Sequence, residues 1–86
     1  MKICLRNTDN KYITSMVGDL ELIKYFEHLY EKKDTITIVT YDKNTDEDIF
    51  TPYYIDAIVL KVFPKMSQRD ETEYFVDVFV SECEDL

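Results

Sequence analysis

The sequence predicts a single α+β domain in which one helix packs on an antiparallel β-sheet, with the element order ββαββββ. Three observations predict this class. One segment carries apolar residues at helical spacing, most of the remaining chain consists of short runs rich in β-branched and aromatic residues, and polar turn-forming residues separate these runs. The chain has 86 residues, a length that suits one domain with a thin core.

The first third of the chain predicts a hairpin followed by the helix. Residues 2–5 and 11–17 are strand-like, and the segment 6–10 between them is rich in Asn and Asp, which favour turns. A helix is predicted over residues 19–33, with Asp19 as its N-cap. Its apolar stripe, which we expect to face the sheet, consists of Leu22, Ile23, Phe26, Leu29 and Tyr30.

Four strands are predicted after the helix, over residues 35–41, 49–55, 57–63 and 72–81. Pro52 indicates an edge or a bulge, because proline cannot donate a ladder hydrogen bond. Val76, Val78 and Val80 alternate on one face of the last strand, and Phe75 and Phe79 flank Asp77 on the other. The aromatic residues predicted to lie in the core are Phe26, Tyr30, Phe50 and Phe63. One helix covers one sheet face, so we expect the second face to be solvated or given to a partner.

Charge is the strongest global signal. The net charge is −8. Residues 1–33 hold six basic and five acidic side chains, whereas residues 34–86 hold four basic and thirteen acidic side chains. Such a surface disfavours direct binding to nucleic acid or to an anionic membrane, and favours a basic protein surface. The alternative is that the charge serves solubility. We expect the turns of an antiparallel sheet to bring the acidic loops to one end.

No catalytic, cofactor or metal site is predicted. His28 lies on the polar helix face, and Gly18 is the only glycine, so neither a nucleophile–base pair nor a phosphate loop is indicated. The loop 42–48 has oxygen ligands at alternate positions, as calcium loops do, but Glu47 replaces the glycine of the sharp turn. Cys4 and Cys83 are interpreted as reduced thiols of a cytoplasmic protein.

The segment 41–49, with the sequence YDKNTDEDI, resembles the hairpin of the phage uracil-DNA glycosylase inhibitors, which has the form Tyr-Asp-x-x-Thr-Asp-Glu-Asn-Val. The order of a strand, a helix and an acidic antiparallel meander is also similar. Members of that family mimic DNA and occupy the DNA groove of their target enzyme. The resemblance implies an acidic DNA-mimic inhibitor.

The function predicted from charge and resemblance together is a small inhibitor from a phage or mobile element, which acts in the cytoplasm of a bacterial cell and is not an enzyme. Its partner would be a host protein with a basic nucleic-acid-binding groove, such as a glycosylase, a restriction enzyme or a CRISPR nuclease. The predicted partner-binding residues are Asp42, Asp46, Glu47, Asp48, Tyr54, Asp70, Glu71, Glu73 and Asp77. Two alternatives are an immunity protein or antitoxin that neutralises a basic toxin, and an assembly adaptor that forms a homodimer or larger oligomer through its open sheet face.

Overall fold

The computed structural model describes residues 1–64 and 71–83 of the chain. Its elements follow the order ββαβββ. They are β1 (Lys2–Arg6), β2 (Tyr12–Val17), α1 (Leu20–Lys32), β3 (Thr35–Asp42), β4 (Glu47–Phe63) and β5 (Glu73–Glu82).

The helix forms where the sequence predicts it. Asp19 is the N-cap, and its side chain accepts a hydrogen bond from the backbone N–H of Leu22. The C-cap of the helix is Lys33, which adopts a left-handed conformation with φ of 58° and donates its backbone N–H to the carbonyl oxygen of Tyr30. The predicted stripe is correct except at its end, because the side chain of Tyr30 is 50% exposed.

The prediction of an antiparallel sheet is wrong, because the sheet is mixed. The five strands lie in the order β2-β1-β5-β4-β3, and β1 pairs with β5 in parallel. The cause is the route of α1. Each hairpin reverses the chain, and α1 returns it so that β3 runs in the same direction as β1. Two further reversals, from β3 to β4 and from β4 to β5, leave β5 running in the direction of β1, so the first and last strands meet as parallel neighbours.

The number of strands also differs from the prediction. The two strands predicted at 49–55 and 57–63 are one strand, β4, with a bulge at Asp56 where the register with β5 shifts. The hydroxyl of Ser81 on β5 donates to the Asp56 carboxylate at 3.2 Å. Pro52 lies inside β4, opposite Thr37.

The core lies between α1 and one face of the sheet. Phe26 is the largest fully buried side chain, with 1% of its surface exposed, and it packs with a cluster from four strands. The buried members of this cluster are Ile3, Leu5, Phe26, Leu29, Ile38, Ile55, Val76, Val78 and Val80. The predicted alternation on β5 is therefore correct for the valines.

The molecule divides into a body and an arm. β4 pairs with β5 only from Tyr53 onward, so its first residues pair with β3 alone. Ile36 and Ile38 at the base of this hairpin pack against the core, but every residue from 39 to 50 except Asp42 is exposed. We call residues 39–50 the arm and the remaining described residues the body. The longest dimension of the molecule is 50 Å, which matches the length of β4 at about 3.3 Å per residue.

Candidate protein-binding site

The arm is a two-stranded ribbon whose tip, residues 42–48, is held by side-chain hydrogen bonds. The backbone N–H of Asn44 donates to the Asp42 carboxylate at 2.9 Å, which closes an Asx turn. Asp46 adopts a left-handed conformation with φ of 56°, which Asp tolerates better than most residues. The Tyr41 hydroxyl donates a hydrogen bond to the Asp46 carboxylate and so ties the end of β3 to the turn. Both acids therefore shape the tip as well as charging it.

The Tyr41–Asp46 contact perturbs the phenol. The hydrogen bond to Asp46 raises the pKa of Tyr41 above 10.0, because ionised tyrosine loses the proton that it donates, and desolvation adds to the shift in the same direction. The hydroxyl therefore remains a donor throughout the physiological pH range.

Glu47 and Asp48 supply the free negative charge of the arm. Both side chains are exposed, and the contacts of the described residues give neither an ion pair nor a side-chain hydrogen bond. Together with Asp42 and Asp46 they place four carboxylates against one cation, Lys43, within the tip. The tip therefore carries a formal charge of −3 that the rest of the arm does not neutralise.

One face of the arm is apolar and aromatic. The register places Val39 opposite Phe50 and Tyr41 opposite Asp48. Opposite residues of an antiparallel pair share a face, and so do residues two apart along a strand, so all four side chains lie together. Phe50 is 66% exposed, which shows that its prediction as a core residue is wrong. Tyr54, a predicted partner-binding residue, lies four residues further along the same face of β4 and is also exposed.

The predicted second group of acids lies elsewhere. Glu73 pairs with Phe63 at the far end of β4, and Glu71 lies exposed just before it. The arm tip is at the start of β4, roughly 50 Å away at about 3.3 Å per residue. The expectation that both acidic loops meet at one end of the sheet is therefore wrong, because consecutive hairpins turn at opposite ends. Asp70 lies outside the described residues.

Asp77, another predicted partner-binding acid, lies at the centre of the open sheet face and is 3% exposed. Its carboxylate forms ion pairs with Lys61 at 2.5 Å and with the Nε atom of Arg6 at 3.6 Å. Phe75 and Phe79, its neighbours on the same face of β5, are half-buried beside it. Two cations therefore neutralise Asp77, and it does not contribute to an acidic surface.

The aromatic and apolar part of the arm was missed by sequence reasoning. Val39 and Phe50 belong to strand-like runs that are indistinguishable from core strands when each run is taken alone. Strand length was the one signal that could have revealed the arm. β5 is too short to pair with the whole of β4, so the start of β4 can pair only with β3. That comparison requires the register, which local composition does not supply.

Neither a metal site nor a membrane span emerges from the described part of the chain. Residues 1–64 and 71–83 contain no group of three or more His, Cys, Asp or Glu side chains arranged to hold a metal ion. Within these same residues, no helix is long and apolar enough to cross a membrane. The thiols of Cys4 and Cys83 are both free.

Comparisons of the chain with protein-family models, with curated proteins and with solved structures give no match. The likeness of residues 41–49 to the glycosylase inhibitors therefore remains a resemblance of sequence.

Proposed function

We propose that this chain is a small inhibitor that binds a protein partner through its arm, with the acidic tip entering a basic, nucleic-acid-binding groove. The observation that carries the proposal is the composition of the arm. An exposed aromatic face ends in four carboxylates on an element that projects beyond the core. Aromatic residues contribute much of the binding energy of protein interfaces, and acidic groups steer the approach to a basic partner.

The geometry narrows the contact surface that the charge pattern suggests. Glu71 and Glu73 lie at the opposite end of β4 from the tip, and Asp77 is buried and ion-paired. The proposed contact surface therefore consists of the tip acids, the aromatic face of the arm, and Tyr54 of the body, which lies on the same face of β4. Its residues are Val39, Tyr41, Asp42, Asp46, Glu47, Asp48, Phe50 and Tyr54.

Inhibition follows from occupancy in this proposal, and no reaction by the chain is needed. Carboxylates spaced along a turn present a field of the same sign as a phosphate backbone, so they occupy a groove that evolved for nucleic acid. Such grooves carry Lys and Arg side chains that pair with the phosphates of nucleic acid, and the same cations can pair with the carboxylates of the tip. An immunity protein that neutralises a basic toxin would use the same chemistry.

Photo-crosslinking from the arm tests the proposal. A benzophenone amino acid at Phe50 should crosslink a single bacterial protein in cells that express the chain, whereas the same group at Tyr25 should not. The two positions are 66% and 60% exposed, so they are matched in access, and Tyr25 lies on the body. The purified partner should lose binding to nucleic acid competitively when the chain is added. A partner that retains full nucleic-acid binding in the complex contradicts the proposal.

Charge reversal then tests the role of the tip. The double variant Glu47→Lys with Asp48→Lys should slow association by about tenfold at low salt and flatten its salt dependence. Glu71→Lys with Glu73→Lys makes the same change in net charge at the other end of the molecule and serves as the control. Equal slowing in both variants would mean that overall charge, and not the arm, governs association. Asp46 is left intact because its conformation and its bond to Tyr41 shape the turn.

A further inference from the structure

The body has a second unpartnered surface, a groove of about 790 Å³ between α1 and the far halves of β4 and β5. It lies on the helix-covered face of the sheet, near the end opposite the arm. Nine of its ten lining residues are apolar or aromatic, and the tenth is a glutamate. The residues that line it are Met1, Leu20, Ile23, Glu27, Tyr30, Ala57, Ile58, Leu60, Tyr74 and Val76.

Among the described residues, the groove is open because α1 does not cover the whole sheet. On the helix side of β4, Ile55 is buried and Ile58 is half-buried, whereas Leu60 is 58% exposed. The register places Leu60 opposite Val76 and Val62 opposite Tyr74; Val76 is buried, and the other three side chains extend the apolar surface across both strands. Leu20, at the start of the helix, is also exposed above them. Contiguous apolar surface of this kind on a small protein marks an interaction site.

The charge in the groove selects its occupant. Glu27 lies between Ile23 and Tyr30 along one helix stripe, at spacings of four and three residues. No ion pair or side-chain hydrogen bond is found for Glu27 among the described residues. An apolar ligand would remove water from this carboxylate without replacing its hydrogen bonds, which is unfavourable. An occupant with a cation opposite Glu27 restores that interaction.

We propose that this groove binds an amphipathic, basic helix of a partner protein, with Leu or Phe side chains on the groove floor and a Lys or Arg paired with Glu27. A helix wall beside a strand floor suits an incoming helix, whose apolar face recurs every three to four residues. The arm of a second copy does not suit the groove, because its acidic tip would approach Glu27. This surface is separate from the arm, so the two proposals stand or fall independently.

A model peptide tests the proposal directly. The probe is the fluorescein-labelled peptide LKKLLKLLKKLLKL, in which Leu and Lys follow helical spacing. The control peptide, LKLKLKLKLKLKLK, alternates the two residues at strand spacing and has nearly the same composition. Fluorescence anisotropy at 150 mM salt should show at least about tenfold tighter binding of the probe, since only its apolar residues form one helical face. Equal affinities for the two peptides would overturn the proposal, because general attraction to an acidic protein would explain both.

Variants locate the contact. Leu60→Asp should weaken binding of the probe by at least about tenfold, and Glu27→Gln by about threefold to tenfold with a smaller dependence on salt. Tyr25→Asp is the control, because Tyr25 and Leu60 are similarly exposed, at 60% and 58%, but Tyr25 lies outside the groove lining. The probe should also change the NMR chemical shifts of Ile23 and Ile58 in the wild-type protein, a measurement that needs no variant.

Two other outcomes would also overturn the proposal. If Glu47→Lys with Asp48→Lys abolishes binding of the probe and Leu60→Asp does not, the peptide binds the arm. If sedimentation shows a dimer that Leu60→Asp dissociates, the occupant of the groove is a second copy of this chain. Either result would leave the groove without the proposed partner while leaving the arm proposal to its own test.

Discussion

The body and the arm are built from the same strand-like sequence, but they differ in what surrounds each strand. In the body, β1 and β5 each have a strand on both sides, and their core side chains are buried. In the arm, β3 and the start of β4 have only each other. An isolated two-stranded hairpin is marginally stable in water, so the arm depends on its base for its shape.

This difference assigns the stability of the fold to the body and the binding of a partner to the arm. Buried apolar area, which supplies most of the folding free energy, is concentrated in the body. The arm exposes Val39, Tyr41 and Phe50, whose burial would stabilise a complex instead. Segments with few buried contacts lie at the low end of local stability, which is where binding elements are commonly found. The predictions below test this division.

The largest contrast is expected between two phenylalanines. Phe26→Ala should lower the free energy of unfolding by about 3–5 kcal/mol, because it leaves a cavity in the core. Phe50→Ala should lower it by less than about 1 kcal/mol, since only the cross-strand contact with Val39 is lost. Urea denaturation followed by circular dichroism measures both. A loss below about 1 kcal/mol for Phe26→Ala would mean that the helix stripe does not face the core.

Asp77 should contribute to the stability of the fold, as the apolar residues of the body do, although it is charged. Asp77→Asn keeps the shape of the side chain but removes the charge that holds Lys61 and Arg6, and we expect a loss of about 2 kcal/mol in unfolding free energy. The loss is smaller than for a fully buried pair because both cations keep access to water. Glu47→Gln, the matched change in the arm, should alter stability by less than about 0.5 kcal/mol. Equal effects of the two changes would contradict the division.

A smaller effect is expected from pH. The folded-state pKa of Tyr41 is raised, so the Asp46 bond contributes to arm stability below the unfolded pKa of about 10 and is lost as pH rises through the folded value. Ultraviolet titration near 295 nm should therefore show that Asp46→Asn lowers the pKa of one tyrosine. The other six tyrosines are the internal control. An unchanged titration curve would show that the contact does not form in solution.

The smallest expected effect is that of calcium on the arm. Millimolar calcium should leave the melting temperature unchanged, since the loop lacks the glycine and the bidentate glutamate of a calcium loop. A ligand that binds only the native state raises its stability, so a clear upward shift in differential scanning calorimetry would contradict this prediction. Magnesium at the same concentration controls for ionic strength.

Local patterns predicted the elements that depend on local chemistry. The helix, its Asp19 cap and the valine alternation of β5 follow from spacing and side-chain type, and the structure confirms them. The Asn-rich turn after β1 is also present: the side chain of Asn7 accepts hydrogen bonds from the backbone N–H groups of Asp9 and Lys11. These features need only neighbouring residues to form.

Features that depend on distant residues were missed. The flanking Phe75 and Phe79 indicated that Asp77 lies on a partly apolar face, but its partners come from strands far away in sequence. The parallel pairing of β1 with β5 likewise depends on the route of the helix and not on either strand. The separation of the two acidic loops could have been predicted, because the two hairpins that share one strand turn at opposite ends of that strand.

The parallel pairing of the first and last strands also constrains when the protein can fold. Lys2 pairs with Phe75 and Arg6 with Phe79, so β1 finds its inner neighbour only after residues 75–79 have been synthesised. Until then the N-terminal hairpin has an open edge, and closing so long a loop costs entropy before any contact repays it. High contact order of this kind slows folding. Assembly of the body on the ribosome therefore waits until β5 has been synthesised.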